Sequence, residues 1–177
     1  MSGSQSSFPV TNEHYNLTVL RIRITAHSLG LVFEDDDRSA NHASIFLITS
    51  SQHSIRLNMT KRGPTDTMGT YTESSCTYIS SNSALRNFDL QPAPGLTVGH
   101  AINAIRERGR LNYKLARSGV GCRYWVQTVV NDWAESHMID TSASALMSPA
   151  AVIEALRYNY SQDQNPVFDE VDPGTFV

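Results

Sequence analysis

Cys122 is the residue of this sequence whose type and position are best suited to chemistry. It opens an amphipathic run in which apolar residues recur every three or four positions, at Cys122, Trp125, Val126, Val129, Val130 and Trp133. This spacing predicts a helix from Cys122 to about Glu135, entered through the glycine-rich turn Gly119-Val120-Gly121. A cysteine at a helix start faces unpaired backbone N–H groups and the positive end of the helix dipole, which favour the thiolate. The same pattern is also typical of a packed, unreactive thiol, because cysteine is often buried in apolar stripes.

A thiolate nucleophile needs a base or ion-pair partner, most often an imidazole, and a group that orients it. The sequence has six histidines. His42 differs from the others because it opens a hydrophobic strand-like run, Ala43 to Ile48, which could hold an imidazole rigidly against a helix start. On the next predicted strand, Asn58 can bond to an imidazole nitrogen, whereas Arg56 only donates and suits a substrate carboxylate or an oxyanion. We therefore predict a catalytic set of Cys122, His42 and Asn58.

Four residues are candidates for the substrate side of this site. Arg56 and Arg123 could stabilise an oxyanion, and Tyr113 and Tyr124 could line the pocket. No spacing of His, Cys and carboxylate residues is diagnostic of a metal site, so we expect neither a metal nor another cofactor.

The hydrophobic patterns predict strands followed by helices. Strands are expected at residues 16–26, 41–48, 54–59 and 69–79, with a short one at 113–116, and helices at 97–109, from Cys122 and from Ser148-Pro149. This order predicts an α+β fold in which an antiparallel sheet of four to five strands packs against three helices. Residues 15–160 are expected to form one domain, with a disordered tail at 1–14 and a loosely docked tail at 161–177. Glu34 to Arg38 is expected to be a solvated surface loop.

Composition limits the classes of partner and the location. The chain has 177 residues, 40% of them hydrophobic, and a formal net charge of −3. We expect no nucleic-acid partner, although an arginine-rich stretch from Arg106 to Arg123 is the feature that would favour one. No apolar run reaches the length of a membrane span. Without a secretory signal or a disulfide framework, a cytoplasmic location is expected, and a homodimer is left open.

Two segments resemble a known superfamily. His42-Ala43-Ser44-Ile45-Phe46-Leu47 and, later in the chain, Gly121-Cys122-Arg123-Tyr124-Trp125-Val126 look like the histidine strand and cysteine helix of circularly permuted papain-like proteins. These belong to the NlpC/P60 branch that includes lecithin:retinol acyltransferase-like and PPPDE-like proteins. The resemblance implies a cysteine-dependent hydrolase or acyl/amide transferase that acts on a small molecule or peptide. The third catalytic position of that family falls on either Arg56 or Asn58.

The chain is also similar, over roughly residues 17–160, to a group of small fungal proteins. They share a histidine strand, an Arg-Leu-Asp/Asn-Met strand and a Gly-Cys-Arg-Phe/Tyr-Trp helix start. This resemblance implies no particular activity and keeps a second interpretation open. In it, the protein is a small-molecule binding protein, or a cyclase or lyase of fungal secondary metabolism, that uses the same cleft without thiol chemistry.

Overall fold

Alternating apolar and polar residues in the first half of the chain form the main sheet. The computed structural model describes residues 5–28, 41–63, 65–116, 121–142 and 146–177. Within these ranges the sheet has six strands: β1 (Ser7–Pro9), β2 (Arg21–Ser28), β3 (Asn41–Ile48), β4 (Ser54–Thr60), β5 (Thr70–Cys76) and β6 (Ala84–Leu90). Their spatial order is β1-β5-β4-β3-β2-β6, and all neighbours are antiparallel.

One face of this sheet carries the core and three α-helices. The helices are α1 (Val98–Glu107), α2 (Cys122–Glu135) and α3 (Pro149–Ala155). Residues at every second position of the strands, such as Ile24, Ile45 and Leu57, are fully buried beneath them. Trp125 and Trp133 of α2 are also fully buried, so the apolar stripe that begins at Cys122 is the surface by which α2 packs on the sheet.

The opposite face of the sheet is largely polar. It presents the other set of alternating side chains, which includes His27, His42 and Arg56. Part of the segment between β5 and β6 lies over this face, because the Tyr78 carbonyl accepts a hydrogen bond from Ser54 Oγ and the Ile79 carbonyl accepts one from Arg23. The chain therefore builds a second, thinner layer on the side away from the helices.

The C-terminal residues return to the start of α2. Four short strands, β7 (Tyr113–Lys114), β8 (Tyr158–Asn159), β9 (Val167–Phe168) and β10 (Thr175–Phe176), form two antiparallel pairs, β7 with β10 and β8 with β9. Residues 5–14 and 161–177 contain strands, although the first were expected to belong to a disordered tail and the second to a loosely docked one; residues 1–4 lie outside the described residues. β1 is paired with β5, and the C-terminal segment is held by both strand pairs.

Most of the predicted architecture is confirmed. The α+β class, the antiparallel sheet and the helices are present, and Thr97 and Ser148 cap α1 and α3 with their side-chain oxygens. The sheet has six strands, whereas four to five were predicted. β1 and β6 were missed because β1 is very short and β6 lacks a clean apolar alternation. Leu20, within the strand expected at residues 16–26, is 56% exposed and precedes β2, which begins at Arg21. Glu34 to Arg38 lies outside the described residues.

Every helix that the structure describes is too short or too polar to cross a bilayer.

Asn41, the first residue of β3, is a buried anchor for the strand that carries His42. Its side-chain amide donates to the Tyr160 carbonyl at 2.9 Å and accepts from the Tyr160 N–H at 2.5 Å. Because Asn41 is only 5% exposed, these bonds are shielded from water. They join the beginning of β3 to the chain that follows α3.

We expect Asn41→Ala to lower the free energy of unfolding by about 2 kcal/mol, because two shielded hydrogen bonds are lost and backbone groups lose partners. Urea denaturation measures this change. The matched control is Asn131→Ala, since Asn131 bonds Glu135 on an exposed helix surface, and its cost should stay below about 0.5 kcal/mol. Equal costs for the two variants would contradict the anchoring role.

Candidate active site

The site is built where the hydrogen-bond ladder between β3 and β4 stops. Pairing of these strands ends with Ile45 opposite Leu57. β4 nevertheless continues to Thr60 along β5, and the first residues of β3, from Asn41 on, remain paired with β2. The two central strands therefore separate within the sheet, and their facing backbone groups need other partners.

The sulfur of Cys122 meets one of these backbone groups. The Ile48 carbonyl accepts from Leu20 on the β2 side, and because amides alternate in direction along a strand, the Ala43 N–H points toward β4. Beyond the end of the ladder this N–H donates to the sulfur of Cys122. The first turn of α2 thus occupies the place where the pairing of β4 would have continued.

His42 connects Cys122 to Asn58. The imidazole is hydrogen bonded to the Cys122 side chain, and its Nε2 lies 2.6 Å from Asn58 Oδ1. Since Asn58 Oδ1 can only accept, Nε2 donates, and Nδ1 is the ring nitrogen left to face the sulfur. The three predicted catalytic residues are thus brought together in the order Cys122–His42–Asn58, and the register places Asn58 rather than Arg56 on the imidazole.

The surroundings of Cys122 favour its thiolate. Burial alone would raise the pKa of this half-buried thiol. The charge of His42, the hydrogen bonds from His42 and the Ala43 N–H, and the charge of Arg123 together lower the pKa of Cys122 to about 7. Because an unperturbed thiol titrates at about 8.5, this shift increases the thiolate fraction near neutral pH.

His42 responds in the opposite sense. Burial would lower its pKa, but the charge of Cys122, the bond to its sulfur and the bond to Asn58 outweigh burial and raise the pKa of His42, against an opposing effect of Arg56. A lowered thiol pKa and a raised imidazole pKa both stabilise a thiolate–imidazolium pair, and the two groups titrate as one coupled unit.

Tyr113 fixes the turn that introduces Cys122. Its hydroxyl donates to the Gly121 carbonyl and accepts from the Gly174 N–H, both at 2.9 Å. Gly121 has φ of +135° and a Cβ there would lie 2.9 Å from the Tyr113 hydroxyl, so only glycine fits. Tyr113 is fully buried and is placed to hold the turn. Its predicted role in lining the substrate pocket stays a prediction.

Arg123 joins α2 to the C-terminal segment. Its guanidinium forms a 2.7 Å ion pair with Asp169 and donates to the Leu156 carbonyl at 3.0 Å. Only 6% of Arg123 is exposed. Its guanidinium donors to Asp169 and to the Leu156 carbonyl are therefore used inside the protein. The residue acts on Cys122 through its charge, and its predicted role as a direct substrate ligand stays a prediction.

Tyr124 and Arg56 lie on different sides of the site. Tyr124 is half-buried, with its ring centroid 6.5 Å from that of Phe176 in the C-terminal segment. Arg56 lies with His42 and Asn58 on the polar face of the sheet, where all three border a cleft of about 210 Å³.

His27, Ser28, Ser44 and Ser83 also line that cleft, and the sequence patterns did not point to them. His27 is directly opposite His42 in the register of β2 and β3, with ring centroids 5.9 Å apart. Its ring nitrogens bond to Ser83 and Ser44. The register of the β2–β3 hairpin could have found His27 and Ser44, because it places polar residues of the two strands side by side. Ser83 lies in the turn before β6, outside this hairpin.

The arginine-rich stretch is largely neutralised by carboxylates. Its ion pairs are Arg106–Glu73, Arg108–Asp132, Arg108–Glu135, Arg110–Asp132 and Arg123–Asp169. These cations are thus engaged within the fold, and Arg117 lies outside the described residues. In the same described part of the chain, no group of three or more His, Cys, Asp or Glu side chains is arranged to hold a metal ion.

The comparisons with known proteins define the family. Residues 22–177 match the family model described as "Domain of unknown function (DUF7770)". This match covers most of the chain, and the protein therefore belongs to the DUF7770 family. A search of curated proteins gave no significant match, and a search of solved structures gave none either.

The pairing of Cys122 with His42 predicts an unusual pH profile for alkylation. The rate of Cys122 modification by iodoacetamide should rise with pH through an apparent pKa of about 7. His42→Ala should move this apparent pKa upward, because the positive partner is lost while burial, which opposes ionisation, remains. Peptide mass spectrometry after timed alkylation gives the rate at each cysteine.

Cys76 provides the internal control, since it is fully buried and should stay unmodified in the native protein. A Cys122 profile that is the same in wild type and His42→Ala, or one centred near the ordinary value of about 8.5 in wild type, would contradict the ion pair.

Arg123→Met should loosen the C-terminal segment. We expect unfolding free energy to fall by about 3 kcal/mol, because Asp169 loses a partly buried partner, and chymotrypsin to cut faster at Phe168. Arg21→Met is the matched control, since the Arg21 side chain is 46% exposed in its ion pair with Asp89. Unchanged protection of Phe168 in Arg123→Met would show that the ion pair does not hold this segment.

Proposed function

We propose that the protein is a cysteine-dependent hydrolase or acyl/amide transferase that acts on a small molecule or a peptide. The observation that carries this proposal is the hydrogen-bonded series Cys122–His42–Asn58, in which the pKa of the thiol is lowered to about 7. A nucleophile, a base bonded to it and a third group that orients the base form the arrangement used for acyl transfer on unrelated folds.

In the first half of the reaction, the thiolate of Cys122 attacks a carbonyl carbon. A C–S bond forms and the carbonyl electron pair moves onto oxygen, giving a tetrahedral oxyanion. As this collapses, the bond to the leaving group breaks, and the imidazolium of His42 gives its proton to the departing amine or alkoxide. The product is a thioester on Cys122 and a neutral His42.

In the second half, His42 takes a proton from water or from an acceptor amine. The activated nucleophile attacks the thioester and Cys122 leaves as the thiolate. Water gives hydrolysis, and an amine gives transfer. Asn58 holds the Nε2 side of the ring by the 2.6 Å hydrogen bond. Nδ1 therefore faces the sulfur and the substrate in both halves of the reaction.

Stabilisation of the oxyanion is assigned to the first turn of α2. Gly121 is the cap residue and offers no side-chain bond to that turn. Backbone N–H groups at a helix start are suited to a developing negative charge, and they need no reorganisation during the reaction. Arg123 supports this charge from a distance, since its guanidinium is bonded to Asp169.

The same order and geometry support a relationship to circularly permuted papain-like proteins, which we include in the proposal. It rests on a histidine strand that precedes a cysteine helix, and on the Cys–His–Asn contacts. We also propose that the protein works in a reducing compartment such as the cytoplasm, because its nucleophile is a free thiol.

One observation favours a second candidate function. The cleft of about 210 Å³ is bordered by His42, Asn58 and Arg56, and Cys122 is not among its described lining residues. A binding protein, or a cyclase or lyase, could use this polar cleft without thiol chemistry. Trapping of a covalent intermediate separates the two functions.

The test is acyl-enzyme formation with p-nitrophenyl esters and p-nitroanilides, followed by intact-mass spectrometry and nitrophenol or nitroaniline release. Cys122→Ala should abolish the mass increase. His42→Ala should lower the rate by about 100-fold to 10,000-fold through loss of acid–base transfer. Asn58→Ala should lower it less and shift the pH profile, because Asn58 acts by positioning His42.

His53→Ala is the matched control, since His53 lies in a turn and bonds Thr49 and Ser75 away from Cys122; its activity should equal that of wild type. Acylation that persists in Cys122→Ala would reject the thiol mechanism. Ligand binding without any acylation would favour the second candidate.

A further inference from the structure

The cleft on the polar face of the sheet has the composition of an anion site. It is bordered by His42 and Asn58 on the side of the thiol pair. Around them lie Arg56, His27, Ser28, Ser44 and Ser83. These side chains carry one permanent positive charge, and no acidic residue is among the described lining residues. A volume of about 210 Å³ accommodates a small polar group with a short chain.

Arg56 carries an uncompensated donor. Its Nε is buried and has no hydrogen-bond partner in the described part of the protein. A buried donor without a partner is unfavourable, and such a group in a native structure calls for an explanation, which an anionic ligand would supply. The planar guanidinium matches the two oxygens of a carboxylate.

Among the neighbours of Arg56, His27 can support a hydrogen-bond donor without adding a charge. His27 is buried, and its burial together with the charges of His42 and Arg56 lowers the pKa of His27 to about 4, so this ring is neutral near pH 7. Its Nε2 bonds the Ser44 hydroxyl. In the tautomer with hydrogen on Nε2, Ser44 accepts that bond and its own hydrogen is available to a ligand.

We propose that this cleft binds the carboxylate of an acidic acyl substrate, with Arg56 as its main partner. This inference rests on the proposed function, and it narrows the substrate class to compounds that carry a carboxylate near the acyl group. His42 is the link between the two sites, because it borders the cleft and also contacts Cys122. A substrate whose carboxylate binds Arg56 is therefore separated from the Cys122 sulfur by the His42 side chain.

Direct binding is measured first, on Cys122→Ala, in which thiol chemistry cannot interfere. Succinate, acetate and inorganic phosphate are titrated by isothermal calorimetry at a constant ionic strength set with sodium chloride. We expect the carboxylates to bind and Arg56→Met to weaken succinate at least 10-fold. Arg56→Lys should retain part of the affinity, since it keeps the charge but loses the two-pronged geometry.

Arg21→Met in the same background is the matched control, because Arg21 lies on the same face of the sheet but is bonded to Asp89; its succinate affinity should be unchanged. Urea denaturation of Arg56→Met should show stability equal to or above that of the parent, since an unpartnered buried donor is removed. Equal succinate affinity in Arg56→Met, or phosphate binding tighter than both carboxylates, would overturn the assignment.

Turnover by wild type then tests the link to chemistry. Succinyl and butyryl p-nitroanilides differ in a terminal carboxylate, and we expect kcat/KM to favour the succinyl compound at least 10-fold, with the preference lost in Arg56→Met. Cys122-dependent acylation without this preference rejects the carboxylate site and leaves the thiol mechanism intact. Arg56-dependent succinate binding without acylation supports the site and rejects the hydrolase.

Discussion

The separation of β3 from β4 is the constraint on which the rest of the candidate site depends. A continuous ladder would pair the Ala43 N–H with β4 and close the sheet between the helices and the polar face. Because pairing stops at Ile45 and Leu57, this N–H serves the sulfur of Cys122 instead. A side chain from the helix layer can then meet His42, which belongs to the opposite face. At the interruption the thiol takes the place of a backbone partner, so the Ala43 N–H remains hydrogen bonded and a nucleophile is positioned by one local change in pairing.

The C-terminal segment is the second requirement, since an interrupted sheet cannot by itself fix the turn before α2. Tyr113 bridges the Gly121 carbonyl and the Gly174 N–H, and Arg123 binds Asp169. The turn and the first residues of the helix are therefore held from outside the sheet. The DUF7770 family model extends through residue 177, in agreement with a segment that is part of the domain. The residues on either side of Cys122 in the sequence are thus held by a segment that lies about fifty positions later in the chain.

The sequence predicted well those features that depend on local periodicity. The helix from Cys122, the strand that opens with His42 and the caps at Thr97 and Ser148 each follow from neighbouring residues. The choice between Asn58 and Arg56 could not be made in this way, because both lie on one face of β4 and only the pairing register decides which reaches the imidazole. The same reason hid the cleft residues His27, on β2, and Ser83, in the turn before β6, because they come from parts of the chain remote from β4. The terminal strands β1 and β10 were missed because their pairing partners lie in remote parts of the chain.

The electrostatics of the site connect the cleft with the thiol. Burial opposes charge on both Cys122 and His42, and each becomes charged chiefly because the other is charged. Arg56 works against this pair by lowering the pKa of His42. A carboxylate bound at Arg56 would neutralise that opposition, and the imidazolium would then be stabilised further. A larger population of the His42 imidazolium also lowers the pKa of the thiol. The Cys122 thiolate would therefore be most populated when a carboxylate occupies the cleft. Ligand binding and activation of the nucleophile would in this way be coupled through one imidazole, without movement of the backbone.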